Sequence, residues 1–104
     1  MARQIDFAGK SGAVYRYSVL GEARMLPPAG ANYVIVKLAP DGAKLLYAGE
    51  TDSLAACEWE DILGAARKQH QGAEVLTRLN VSSATRRAER ADLVERHSPP
   101  FNAD

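Results

Sequence analysis

The sequence lacks most features that would mark a secreted, membrane or metal-storing protein. Its 104 residues contain one cysteine, Cys57, so an internal disulfide is impossible and a zinc site cannot be built from cysteine alone. No apolar segment of signal-peptide type follows the first residues, and the longest apolar runs, such as 33–36, are far too short to span a membrane. We therefore expect a cytoplasmic protein in a reducing setting, with no membrane partner.

The chain also lacks an excess of charge of either sign. Thirteen basic and thirteen acidic residues give a net charge of zero, which argues against a strongly cationic nucleic-acid binder. The charges are unevenly distributed, because residues 49–63 hold five acidic groups and no basic one, whereas residues 64–97 hold seven basic groups against four acidic ones. The C-terminal helix region could present a local basic face, or it could be a solvated surface of mixed charge.

Five strands are predicted between turn residues: three from alternating apolar and polar residues, one from β-branched and aromatic content at residues 32–38, and one from its position after the turn at 40–42. They cover residues 5–7, 14–19, 32–38, 44–49 and 74–79. The first two form a hairpin, and the third and fourth should pair antiparallel around the turn at 40–42. The element order predicts an α+β fold, with a small, mainly antiparallel sheet flanked by helices and an extra N-terminal hairpin.

Two helices are predicted from the spacing of apolar residues and from their caps. The first begins at a cap at Asp52 or Ser53 and is closed by Gly72, and the second runs from Ser82 or Ser83 to about residue 96. We expect the inward positions to be Ala55, Trp59, Ile62 and Ala66 in the first helix, and Ala84, Ala88, Ala91 and Val94 in the second.

Three segments, in order, resemble the GIY-YIG nuclease family. Residues 31–35, Ala-Asn-Tyr-Val-Ile, stand where that family has its Gly-Ile-Tyr strand, and residues 47–54 begin Tyr-Ala-Gly where it has Tyr-Ile-Gly and a loop into a helix. Leu93-Val94 followed by Pro-Pro-Phe-Asn at 99–102 is similar to its closing pattern. The resemblance divides one compact domain into a hairpin extension, residues 1–29, and a GIY-YIG-like part, residues 30–104.

The resemblance implies a metal-dependent DNA phosphodiesterase. Tyr33 and Tyr47 match the two motif tyrosines and are the implied catalytic residues, together with Glu89 as the ligand of Mg²⁺ or Mn²⁺. Such chemistry needs a positioned nucleophile and a cation near the developing charge. The alternative is that both tyrosines are ordinary strand aromatics packed under a helix.

Two charged positions depart from the family pattern. The arginine of the first helix would fall at Cys57, and the metal-binding glutamate would fall at Arg90, with Glu89 one residue earlier. One residue on a helix is a rotation of about 100°, so Glu89 needs a shifted register to reach a metal. The motif residues Gly49 and Thr51 are assigned structural roles.

Nucleic-acid contacts are predicted for four residues: Arg86, Arg87, Arg90 and Asn102. The arginines span little more than one helical turn, enough to contact a phosphate backbone, although they could equally pair with acidic neighbours. Three functions follow as alternatives. The first is a nucleic-acid-binding domain with lost or reduced nuclease activity and DNA as its partner. The second is an active endonuclease with migrated catalytic residues, and the third is a protein-interaction module that reuses the fold.

Overall fold

The five predicted strand segments fold into one curled, antiparallel sheet. The computed structural model describes residues 4–19, 26–40 and 42–102. Its strands are β1 (Gln4–Ala8), β2 (Val14–Val19), β3 (Ala31–Ala39), β4 (Gly42–Thr51) and β5 (Ala73–Leu79), in the order β1-β2-β5-β3-β4. Two helices, α1 (Glu60–Gln69) and α2 (Ser83–His97), follow β4 and β5. The predicted α+β class with a small antiparallel sheet is confirmed.

The alternation of side chains divides the core into two layers. Tyr33 and Ile35 on β3 point to one face of the sheet, and Val34 and Val36 point to the other. The first face is buried by the segment containing α1, chiefly through Trp59 and Ala66, and the second by α2 through Leu93. The two helices therefore cover opposite faces. In the described ranges, no helix is both long and apolar enough to cross a membrane.

The N-terminal hairpin extends this sheet, because β2 pairs with β5. Its apolar side, with Phe7 and Tyr17, belongs to the layer under α2. Asp92 of α2 accepts hydrogen bonds from the Ser11 amide at 2.9 Å and from the Tyr15 hydroxyl at 2.7 Å, which fixes the hairpin to the helix. Within the predicted extension, residues 1–3 and 20–25 lie outside the described residues, as does residue 41 of the predicted β3–β4 turn.

The first helix begins later than predicted. Ser53 makes no capping bond with its side chain and precedes a single 3₁₀ turn, Leu54–Ala56. That turn ends at Cys57, whose backbone is left-handed with a φ of 50°. Since a left-handed residue interrupts helical geometry, α1 starts only at Glu60. The prediction of one helix from Asp52 or Ser53 is therefore wrong, although Gly72, with a φ of 82°, does lie in the turn that follows α1.

The inward face of α2 also differs from the prediction. Three of the predicted core positions, Ala84, Ala88 and Ala91, are exposed. The buried positions are Arg86, Glu89 and Leu93. The two charged side chains turn inward because partners on the sheet and its loops satisfy them. The predicted cap is confirmed at Ser82, whose hydroxyl accepts a hydrogen bond from the Thr85 amide at 3.3 Å.

Candidate functional site

The two motif tyrosines lie side by side on the face of the sheet that α1 covers. In the β3–β4 register, Tyr33 is opposite Gly49 and Ile35 is opposite Tyr47, so both rings point the same way. Their centroids are 6.0 Å apart, and the Trp59 ring lies 5.5 Å from that of Tyr33. Tyr33 is only 4% exposed, whereas Tyr47 is half-buried. Tyr33 is thus a core residue, and Tyr47 is the more accessible of the two.

Gly49 and Thr51, which were assigned structural roles, each make contacts that account for the residue type at that position. A Cβ added at Gly49 would lie 2.5 Å from Cζ and 2.7 Å from Oη of Tyr33, so glycine lets the phenol lie directly on the β4 backbone. Thr51 is buried, and its hydroxyl contacts the Glu58 carboxylate and accepts a hydrogen bond from the Ser53 amide at 3.2 Å. Gly49 positions a ring, and Thr51 organises the loop that follows β4.

Opposite charges act on the Tyr33 phenol. Burial is the main factor that raises the pKa of Tyr33 above its ordinary value, and Tyr47 and Glu58 raise it further. Arg90 acts in the opposite direction, since a cation favours the phenolate. The net effect keeps Tyr33 protonated at neutral pH. A protonated phenol cannot serve as a general base there.

Arg90 and Asn102 meet at the outer edge of β4, an edge strand of the sheet. The Ala48 amide donates to Asn102 Oδ1 at 2.8 Å, and Asn102 Nδ2 donates to the Ala48 carbonyl oxygen at 2.9 Å. Arg90 Nε donates to the same carbonyl at 3.1 Å. The side-chain amide of Asn102 therefore makes the two hydrogen bonds that a neighbouring strand would otherwise make to Ala48 at this edge. The two terminal nitrogens of Arg90 have no hydrogen bond to any described residue.

The structure does not bring Glu89 to the tyrosines. Glu89 Oε1 accepts a hydrogen bond from Arg78 Nε at 3.0 Å, in an ion pair that is largely buried. Thr77 on β5 is opposite Tyr33, so the next residue, Arg78, points to the other face of the sheet. Among the residues described, no cluster of three or more His, Cys, Asp or Glu side chains is placed to hold a metal.

Arg86 is occupied by contacts within the protein. Its Nε donates to Glu50 Oε2 at 2.7 Å, and Nη1 donates to the carbonyl oxygens of Asn80 at 3.0 Å and Val81 at 2.8 Å. Nη2 forms an ion pair with Asp52. A side chain that is buried and bonded in this way joins the end of β4 to the loop before α2. It has little capacity left for a nucleic acid.

Arg87 and Arg90 are the arginines of the predicted set that remain available. Arg87 is exposed, and Arg90 is half-buried at the β4 edge. Residues three apart on a helix are neighbours on its surface, so the two guanidinium groups share one flank of α2. We call this flank, together with Asn102, the β4-edge site.

Glu58 was not among the residues predicted from the sequence. It directly follows Cys57, where the family resemblance places an arginine, and Arg90 stands where the resemblance places a glutamate. Both side chains act on the Tyr33 phenol. Arg90 therefore has a charge opposite to the one that the resemblance implies there, and Glu58 lies one residue after the position implied for an arginine. The sequence signal for Glu58 is its place in the acidic segment 49–63.

Comparisons with known proteins do not identify the site. No protein-family model, no curated protein and no solved structure matches the chain. The GIY-YIG resemblance therefore remains a prediction from three short motifs, and the β4-edge site is interpreted from its own contacts.

Proposed function

We propose that this domain binds the phosphate backbone of a nucleic acid through guanidinium groups, without cleaving it. The observation that carries the proposal is the position of Arg90, which reaches the β4 edge and shares the Ala48 carbonyl oxygen with Asn102 there. The family resemblance places a metal-holding carboxylate at this position of the chain. A guanidinium does not ligate a divalent metal, but it binds a phosphate directly and with bidentate geometry.

The Arg90 side chain is held in a suitable orientation for such a contact. The bond from Nε to the Ala48 carbonyl leaves Nη1 and Nη2, which can bond to two phosphate oxygens. Arg87 lies three residues earlier on the same flank and is exposed. Two adjacent cations at this spacing can contact neighbouring phosphates, which explains how a protein of zero net charge could still bind a backbone locally.

The surroundings of Tyr33 favour binding over hydrolysis. A phenol whose pKa is raised by burial cannot accept a proton from water at neutral pH. Glu89, the implied metal ligand, is held by Arg78 on the other face of the sheet. The groups that would activate water and hold a cation are thus separated, whereas the groups that would bind an anion lie together.

The test compares Arg87→Ala with Arg96→Ala in fluorescence-anisotropy titrations of labelled oligonucleotides. Both arginines are exposed on α2. They are nine positions apart, which is about two and a half helical turns, so Arg96 is a matched control on the opposite side of the helix. We expect Arg87→Ala to weaken binding and to lower the slope of log affinity against log salt by about one unit. Arg96→Ala should change neither quantity.

Two results would overturn the proposal. Binding that is absent, insensitive to salt or equally affected by both substitutions would remove the role of the β4-edge site. Cleavage of DNA in Mg²⁺ or Mn²⁺ that is abolished by Tyr33→Phe and by Glu89→Ala would instead support the active endonuclease. Tyr33→Phe is suited to this assay because it removes only the hydroxyl and keeps the buried ring.

A further inference from the structure

A small groove lies where α2 ends and the C-terminal turn begins. Its volume is about 230 Å³. The residues that line it are Val94, Ser98, Pro99 and Asn102. Val94 lies one helical turn beyond Arg90 on the same side of α2, and Asn102 shares the Ala48 carbonyl oxygen with Arg90. The groove is therefore adjacent to the β4-edge site and belongs to the same surface.

The groove combines apolar surface with hydrogen-bonding groups. Val94 and Pro99 supply the apolar part, and the Ser98 hydroxyl has no hydrogen-bond partner within the described ranges. Asn102 Nδ2 carries two hydrogens, of which one is directed to the Ala48 carbonyl. The volume is below the roughly 300–1,000 Å³ of sites for drug-sized ligands. Its size and composition suit one flat, polar-edged ring rather than a whole nucleotide.

We infer that this groove receives one unpaired base of a single-stranded nucleic acid whose phosphate is bound by Arg90. The inference rests on the proposed function and adds the class of nucleic acid. The occupant is indicated by the pairing of features, because an available guanidinium and a ring-sized groove lie side by side. A base in a duplex is stacked and offers only its edges, whereas a single strand can turn a base outward.

The experiment uses the full chain and three labelled oligonucleotides at one salt concentration. They are a thymidine single strand, a strand of equal length and charge made of abasic sites, and a duplex. We expect the thymidine strand to bind about tenfold more tightly than the abasic strand, because only the thymidine strand can bury a base against Val94 and Pro99. The duplex serves as a reference for phosphate binding alone, since it offers phosphates at a higher charge density but no available base.

A pair of substitutions at Ser98 locates the base on the protein. Ser98 has a left-handed backbone, with a φ of 44°, and is exposed. Ser98→Phe would fill the groove and should reduce binding of the thymidine strand to the abasic level. Ser98→Asn is the control, because asparagine tolerates a left-handed backbone, and it should preserve the difference between the two strands.

The outcomes separate this inference from the function on which it rests. Equal affinity of the unmodified protein for the thymidine and abasic strands would refute the base site and leave phosphate binding intact. The same conclusion follows if Ser98→Phe retains the tenfold difference. If none of the three oligonucleotides binds, the proposed function fails and the base site fails with it.

Discussion

Replacing Arg86 by methionine tests whether a buried guanidinium holds the framework of the β4-edge site. The Arg86 side chain is 3% exposed and donates to Glu50 and to the carbonyl oxygens of Asn80 and Val81. Methionine is unbranched and of comparable length, so it can keep much of the apolar contact, but it has no donors. Arg86→Met therefore removes the donors and leaves their acceptors behind.

The expected loss of stability depends on whether water can reach the acceptors that Arg86 leaves without a donor. Removing one partner of a buried ion pair costs about 3–5 kcal/mol. The Glu50 side chain is 24% exposed and that of Asp52 is 92% exposed, so water can take over part of the lost contacts, and the ionic part is correspondingly small. The two carbonyl oxygens cost about 1–3 kcal/mol each if they stay unbonded. We expect a destabilisation of about 3 kcal/mol.

Urea unfolding followed by fluorescence measures this change, because Trp59 is the only tryptophan and is buried. For a domain of about 100 residues, about 3 kcal/mol corresponds to a fall in Tm of roughly 12–24 °C. Arg87→Met is the matched control, since the neighbouring arginine is exposed and its substitution should stay within about 0.5 kcal/mol. A loss below about 1 kcal/mol for Arg86→Met, or equal losses for both variants, would refute the reasoning.

Two further predictions concern the tyrosine pair. Gly49→Ala should destabilise the protein by about 1–3 kcal/mol in urea unfolding, since its methyl group would lie 2.5 Å from a Tyr33 ring that Trp59 holds in place. Gly64→Ala on α1 is the control, because a Cβ at Gly64 meets nothing within 4 Å. This substitution should stabilise the helix by up to about 1 kcal/mol. Similar losses of stability at both glycines would contradict the packing argument. The second prediction concerns pH: the pKa of Tyr33 is raised from 10.0, so its contribution to stability is complete below about pH 10 and is lost as the pH rises further. Urea midpoints measured from pH 8 to pH 11 should fall less steeply with pH in Tyr33→Phe than in the unmodified protein. Burial also raises the pKa of Tyr17, which accounts for part of the loss that remains. An unchanged slope in Tyr33→Phe would disprove the assignment.

The strands could be predicted from the sequence because the residue patterns that indicate them are local. The turn at 9–12 and the alternating residues around it were enough for the β1–β2 hairpin, and Gly12 adopts a φ of 92° in that turn. The strand order could not be predicted in the same way. The β2–β5 pairing joins Ser18 to Thr77, and no local pattern records a contact between residues so far apart.

The helix errors have a different physical origin. Nothing in the residue type of Cys57 indicates a left-handed backbone, since only glycine and, less often, asparagine or aspartate adopt it routinely. The rotation of α2 does not follow the spacing of its apolar residues. Arg86 and Glu89 are buried instead, and they are satisfied by groups that are distant in sequence, such as Glu50 and Arg78. For α2, tertiary partners therefore override the apolar pattern.

For the candidate site, the sequence predicted the neighbours on the strands but not the contribution of the helix. Tyr33 and Tyr47 come from strands joined by a short turn, so their proximity follows from pairing alone. The choice between Glu89 and Arg90 depends on a helix rotation, and that rotation depends on Arg78. A motif resemblance carries no information on such a partner when it lies outside the motif.

The two ion pairs that bury α2 also determine the sign of the charge at the β4-edge site. Arg86 with Glu50, and Glu89 with Arg78, hold the helix at one rotation, and this rotation brings Arg90 to the Ala48 carbonyl. Since one residue corresponds to about 100°, turning the helix by a single position would bring Glu89 towards this edge and replace a cation by an anion. The buried pairs therefore do more than stabilise the fold. They also decide whether the β4-edge site presents a guanidinium or a carboxylate.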